Sequence, residues 1–262
     1  MPGPGVTELL DRADAERALP RLGGMARADG VVIVSERFWA FAGVDGSLRE
    51  GRMPGTATAF RRIPLLRGLA RLAGSLSPLF RGGGVAGKRE RWLLALALLA
   101  PFCLFLLPHD VSAALGIATT IVLVGWLFRG RTLALHGAEH RAIAAAEERS
   151  LRRAWDGTVF PTRFSPRCGT NFSALVLPVS IGFDRLWPLP AMPLAPLLVA
   201  LLALALTMEL WLAIQGAPRA IARVFLAPGL ALQRVTTREP RLDETRVALT
   251  AVASVLRREL DR

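Results

Sequence analysis

The chain has 262 residues, 52% of them hydrophobic, and a mean hydropathy of +0.38, which is too apolar for an ordinary soluble domain and points to an integral membrane protein. The formal net charge of +12 raises nucleic acid as a partner, but the placement of the basic residues argues for membrane topology instead. Residues 1 to 91 carry 15 Lys or Arg, 129 to 171 carry 8 and 215 to 262 carry 9, whereas the two short connections at Pro108 to Asp110 and Asp184 to Pro190 hold only Arg185.

The first 20 residues read as a loose or weakly helical lead-in. Gly30 to Glu36 and Phe38 to Val44 follow as two strands of a small cytoplasmic β unit, closed by the turn pair Asp45-Gly46. From Thr56 to Phe80, apolar residues recur at helical spacing among arginines, and the expected product is a basic amphipathic helix, lying either on the inner membrane surface or against the β unit. Gly82 to Gly87 is a glycine-rich hinge and not a phosphate cradle, because it lacks both the Lys-Ser/Thr pair and a preceding strand.

Four apolar runs come next: Trp92 to Leu107, Val111 to Phe128, Phe172 to Phe183, and Leu186 to Ile214, the last broken only by Glu209. They predict about four transmembrane helices, the third being short enough to be re-entrant. The positive-inside rule then puts both termini and the 129 to 171 segment in the cytoplasm, which requires an even number of crossings. No cleavable signal peptide is expected, since the first sufficiently long apolar stretch begins at Trp92. Three regions result: a cytoplasmic part over 1 to 91, a membrane domain over 92 to 214, and a cytoplasmic C-terminal segment over 215 to 262 that ends in an amphipathic helix from about Asp243 to Leu260.

Where the second run gives way to the polar loop stands His136-Gly137-Ala138-Glu139-His140, which spends two of the three histidines of the chain on one turn. At about 100° per residue, His136, Glu139 and His140 share one helical face. This HxxEH spacing is the inverzincin signature, with two imidazoles as metal ligands and the carboxylate orienting or deprotonating a water. The same string also fits a plain amphipathic helix whose polar groups are solvated or paired with arginine. Cys168, in Arg167-Cys168-Gly169-Thr170-Asn171-Phe172, stands at the same membrane boundary on the reducing side, where a free thiolate can coordinate metal. It is not expected to meet Cys103 in a disulfide. Glu209 is a carboxylate inside an apolar run, less than two turns from the inner face, and is either a fourth ligand or the partner of Arg219 or Arg223. The metal ligands expected are therefore His136, His140, Cys168 and Glu209, with Glu139 as catalytic base and Zn²⁺ as the divalent ion. Thr237 to Glu239 could add polar groups, although shaping the turn before the last helix accounts for them as well.

The HGAEH, RCGTNF and PGLALQRVTTREP strings together resemble the YqhQ-like family of bacterial membrane proteins, a domain of unknown function for which metal-dependent enzyme activity is predicted. The resemblance covers most of the chain. It extends to Ile63-Pro64-Leu65-Leu66-Arg67-Gly68 and to Glu209 in the last span. The Gly-Gly-x-Ala-x-x-Glu-Gly-Val string of the family reads Gly23-Gly24-Met25-Ala26-Arg27-Ala28-Asp29-Gly30-Val31 here, with an acid one methylene shorter, as in a divergent member. The resemblance implies a metal site and names no substrate.

The function expected is a metal-dependent membrane hydrolase acting at the cytoplasmic interface on a lipid-linked molecule or a peptide. The alternative is a noncatalytic membrane scaffold or regulator in which the metal staples the loop to the helices. A transporter would show more spans, internal repeats and several intramembrane polar residues.

Overall fold

In the computed structural model, residues 5–54, 63–80, 84–104, 107–186 and 195–261 are described. The order is α1 (Gly5–Ala15), β1 (Gly23–Ala26), β2 (Gly30–Val34), β3 (Phe38–Gly43), β4 (Leu48–Arg52), α2 (Leu66–Phe80), α3 (Lys88–Leu104), α4 (His109–Leu127), α5 (Thr132–Glu147), α6 (Leu151–Asp156), α7 (Gly169–Leu186), α8 (Ala195–Gly216), α9 (Arg219–Thr236) and α10 (Leu242–Leu260). The fold is mainly helical with a small N-terminal antiparallel sheet, as the sequence predicts.

The sheet runs β1-β2-β3-β4, so β1 and β4 are its edges. The two strands legible in the sequence are β2 and β3, and their near-continuous apolar runs follow from burial on both faces. Val31, Ile33, Phe38, Ala40 and Ala42 meet Leu10 of α1, Leu135, Ala138 and Ala142 of α5, and Leu249, Val252 and Leu256 of α10 in the main core. Val32, Trp39 and Phe41 form a smaller cluster with Val85 on the other face. The N-terminal lead-in is thus a helix that buries Leu10 and Ala13 completely.

A second core joins α7, α8 and α9 through Leu175, Ile214 and Leu226. Here the sequence reading needs correction. The sequence reading assigns no helix between Ile214 and Asp243, yet Pro228-Gly229 lies inside the 18-residue helix α9. The glycine is where α7 touches this helix: a Cβ on Gly229 would come 2.1 Å from Asn171 Oδ1 and 2.5 Å from its Cα, an approach that a glycine permits.

Among the described residues, one helix is long and apolar enough to cross a bilayer, Leu197–Gly216 within α8, whereas Asp110–Trp126 and Gly169–Phe183 are shorter apolar helices. Four full spans are not supported by length and composition. In α3 the first turn is the charged Lys88-Arg89-Glu90-Arg91, so the apolar part of its described residues starts only at Trp92. Over the described residues, the amphipathic helix predicted from Thr56 to Phe80 begins at Leu66; residues 56–62 of that expectation lie outside the described residues, as do 82 and 83 of the hinge.

Candidate metal centre

Helix α5 carries His136, Glu139 and His140 on the face turned toward β1 and the 163–168 loop, as the 3.6-residue period requires. Each imidazole is held by its Nδ1. His136 Nδ1 lies 2.8 Å from the carbonyl oxygen of Thr236, and His140 Nδ1 lies 2.6 Å from that of Arg163. A carbonyl can only accept, so each ring carries a proton on Nδ1 and leaves Nε2 to the site. His136 Nε2 is 3.3 Å from Cys168 Sγ. His140 Nε2 is buried with no hydrogen-bond partner among the described residues, an orphan acceptor that a ligand would satisfy. The ring centroids are 4.5 Å apart at an interplanar angle of 64°.

Cys168 is a free thiol in the residue before α7. Thr170 donates to its sulfur from the backbone N–H at 3.4 Å and from Oγ1 at 3.2 Å. The loop preceding it is pinned to α9: Gln233 accepts from the Ser165 N–H at 2.8 Å and donates to the Ser165 carbonyl at 2.7 Å, and Asn171 donates to that same carbonyl at 2.8 Å.

One ligand atom from each of His136, His140 and Cys168 falls within 4.8 Å of the others, close enough for one ion to draw them together. The donor set of two imidazoles and a thiolate suits a borderline-soft divalent cation. Three of the four expected ligands therefore meet. Glu209 is not part of this group. Arg67 Nε donates to both of its carboxylate oxygens, at 2.8 and 3.0 Å, Arg67 Nη2 adds an ion pair, and the Leu65 N–H donates at 3.1 Å. The acid in the apolar run is thus the anchor by which α2 docks on α8, and Gly68 seats against Met208 beside it. Arg67, in the Ile63 to Gly68 string, is the cation that pairs with it.

Glu139 is buried beside this cluster. Loss of hydration pushes its carboxyl up to about 7, against the opposing pull of His136 and of the Ala26 N–H. Gly24 makes room for it, since a Cβ there would lie 2.8 Å from Glu139 Cγ. Asp29 stands in the β1–β2 turn, where it pairs with Arg27 at 2.9 Å, and Arg27 also grips Glu90 of α3 at 2.8 Å. In the 237–239 stretch, Arg163 bonds the Thr237 carbonyl at 2.7 Å and Glu239 pairs with Arg141 and Arg163, while the cap of α10 is Arg241 with Glu244. The groups that sequence reasoning missed are backbone ones, the carbonyls of Thr236 and Arg163 and the edge of β1. Side-chain patterns do not announce them.

A cavity of about 290 Å³ opens over the cluster, with β1, the start of α5, the 165–170 segment and Phe128 around it. No curated protein and no solved structure matches the chain. Residues 113–258, from α4 through nearly all of α10 and including every member of the cluster, match a family described as a protein of unknown function, DUF1385, and the chain belongs to that family.

Proposed function

We propose that the protein is a zinc-dependent membrane hydrolase that works where its apolar helices meet the cytoplasm. The observation that carries this reading is the matched pair of imidazoles, both with Nδ1 spent on a backbone carbonyl and Nε2 turned to the site of Cys168. Carbonyl-oriented histidine is the usual outer support of a metal ligand. Three protein ligands leave a coordination position open, which a catalytic site needs and a closed structural site lacks.

A bound divalent ion supplies Lewis acidity to a substrate carbonyl. Glu139 accepts the proton of the attacking water and passes it to the leaving group. Its buried carboxyl is suited to that exchange near neutral pH. The cavity excludes bulk water from one side, and the Thr236 and Arg163 carbonyls keep both rings in one tautomer.

The membrane setting rests on α8 and on the apolar side chains that α3, α4 and α7 leave uncovered: Trp92, Leu96, Ile121, Val122, Leu177 and Ile181 are each more than half exposed. We place α3, α4, α7 and α8 in the bilayer, α3 and α7 with flanking residues drawn in, and both termini on the cytoplasmic side. The predicted metal-dependent activity of the YqhQ-like family accords with this reading.

Metal content tests it. Detergent-purified wild type should hold about one zinc per chain, and His136→Ala with His140→Ala should hold none; a metal-free wild type overturns the proposal. Cobalt substitution then separates enzyme from scaffold. Acetohydroxamate should change the visible spectrum of an open site, whereas a closed structural site leaves the spectrum unaltered.

A further inference from the structure

The edge of the sheet that borders the cavity is β1, and its hydrogen-bonding direction can be read from the hairpin. The Arg27 N–H donates to the Gly30 carbonyl at 2.9 Å, which makes Arg27–Gly30 a hydrogen-bonded pair. The antiparallel register continues Ala26↔Val31, Met25↔Val32, Gly24↔Ile33 and Gly23↔Val34. Bonded and non-bonded pairs alternate, so Met25 and Gly23 bond to β2 while Gly24 and Ala26 turn their N–H and C=O away from the sheet. The Ala26 N–H confirms that direction independently, because it reaches Glu139 on α5.

Beyond that bond, the Gly24 N–H and C=O and the Ala26 C=O have no partner among the described residues, and all of these residues are partly buried around the cavity. Sheltered backbone groups of this kind are costly unless something pairs with them. We infer that the site acts on a peptide bound in extended form as an added strand along Gly24 to Ala26, with its scissile bond at the His136–His140–Cys168 cluster. The inference rests on the metal-site reading above and specifies its substrate class.

The chemistry selects a peptide over a lipid chain. An extended peptide presents a donor and an acceptor at every second residue along one edge, which Gly24 can meet with both of its groups and Ala26 with its carbonyl. An acyl chain has neither. Two outward residues at about 3.3 Å per residue give purchase on roughly two residues of substrate, consistent with a cavity of about 290 Å³. Leu22, Met25, Phe128, Leu133 and Ile143 supply apolar walls for its side chains. A peptide bond can be cleaved here with balanced chemistry: water adds to the carbonyl carbon, its proton goes by way of Glu139 to the amide nitrogen, the C–N bond breaks, and a carboxylate and an amine leave.

Four hydroxamates test this on cobalt-loaded full-length protein, with binding followed by the visible spectrum. They are acetohydroxamate, acetyl-leucyl-glycine hydroxamate, the latter with both backbone amides N-methylated, and octanohydroxamate. The peptide probe should bind at least tenfold more tightly than acetohydroxamate, and N-methylation should abolish that gain. If acetohydroxamate binds but the peptide adds nothing, if N-methylation leaves the gain intact, or if octanohydroxamate equals the peptide, the added-strand inference is overturned while the metal site stands. If acetohydroxamate itself fails to perturb the spectrum, the open metal site is wrong and the inference falls with it.

Discussion

Gly137, the second residue of the HGAEH turn, gives the sharpest test of how the centre is assembled. In an exposed helix, Gly→Ala stabilises by about 1 kcal/mol. Here a Cβ would lie 2.1 Å from the Arg238 carbonyl oxygen and 3.2 Å from Pro240 Cδ. Carbon and carbonyl oxygen normally approach no closer than about 3.3 Å, so the 238–240 segment must retreat by about 1 Å. That segment is tied down by the Arg238 N–H to the Leu133 carbonyl at 2.9 Å and by Arg141 to the Pro240 carbonyl at 3.3 Å. Overpacking costs about 1–3 kcal/mol and a lost hydrogen bond about 1 kcal/mol, so the net effect after the propensity gain is a destabilisation of about 2 kcal/mol. The shift also moves the Thr236 carbonyl off His136 Nδ1, and losing such a support weakens metal binding by about 10–100-fold. Thermal unfolding in detergent and zinc competition against a chelator read the two effects. Gly125→Ala in α4, where a Cβ meets nothing within 4 Å, is the control and should be neutral or stabilising. A Gly137→Ala protein as stable as wild type with unchanged zinc affinity would refute this packing.

Glu209→Gln should lower thermal stability by freeing α2 from α8 while leaving zinc content at the wild-type level; loss of zinc would restore Glu209 as a ligand. Thr170→Val should weaken zinc binding about tenfold in a chelator competition and Thr170→Ser should recover it, because Oγ1 supports the sulfur; equal affinities for all three exclude that role. In chelator-treated protein the folded Glu139 titrates near 7 against an ordinary 4.5, so the folded state prefers the neutral acid, and stability present below about pH 4.5 is lost as pH rises through about 7. Glu139→Gln, neutral at every pH, should therefore gain about 2 kcal/mol on wild type between pH 5 and pH 8, roughly 4–8 °C in melting temperature, and parallel pH profiles would contradict the burial of that charge.

The elements that the sequence disclosed are those in which side-chain pattern and burial coincide. The β-branched run Val31 to Val34 and the aromatic run from Phe38 could only be strands, and the HxxEH face follows from helical period alone. β1 escaped because Gly23-Gly24-Met25-Ala26 has weak strand propensity, and its pairing with β2 is dictated by the hairpin. Helix α9 escaped because Pro228-Gly229 reads as a breaker; the close approach of Asn171 that the glycine admits is a tertiary fact with no local signature. Glu209 misled for a related reason. A carboxylate in an apolar run announces that it needs a partner, and only the fold reveals that Arg67, more than a hundred residues away, supplies it.

Cys168 and the histidines belong to different cores, and this bears on the contest between enzyme and scaffold. The histidines ride on α5, which packs on the sheet, α6 and α10, while Cys168 leads into α7, which packs on α8 and α9. An ion held by all three joins the sheet unit to the apolar helices, so removing it should loosen the junction whether or not catalysis occurs there. Loss of stability on chelation is therefore expected of both readings and cannot separate them. What separates them is the space on the fourth side. The cavity borders the three side chains, with Glu139 and β1 also in its wall, whereas a purely structural ion would be expected to have a fourth protein ligand, and none joins the group among the described residues. Stapling and catalysis would be compatible uses of one ion if His136, His140 and Cys168 alone held it, since three protein ligands leave a coordination position open beside the cavity.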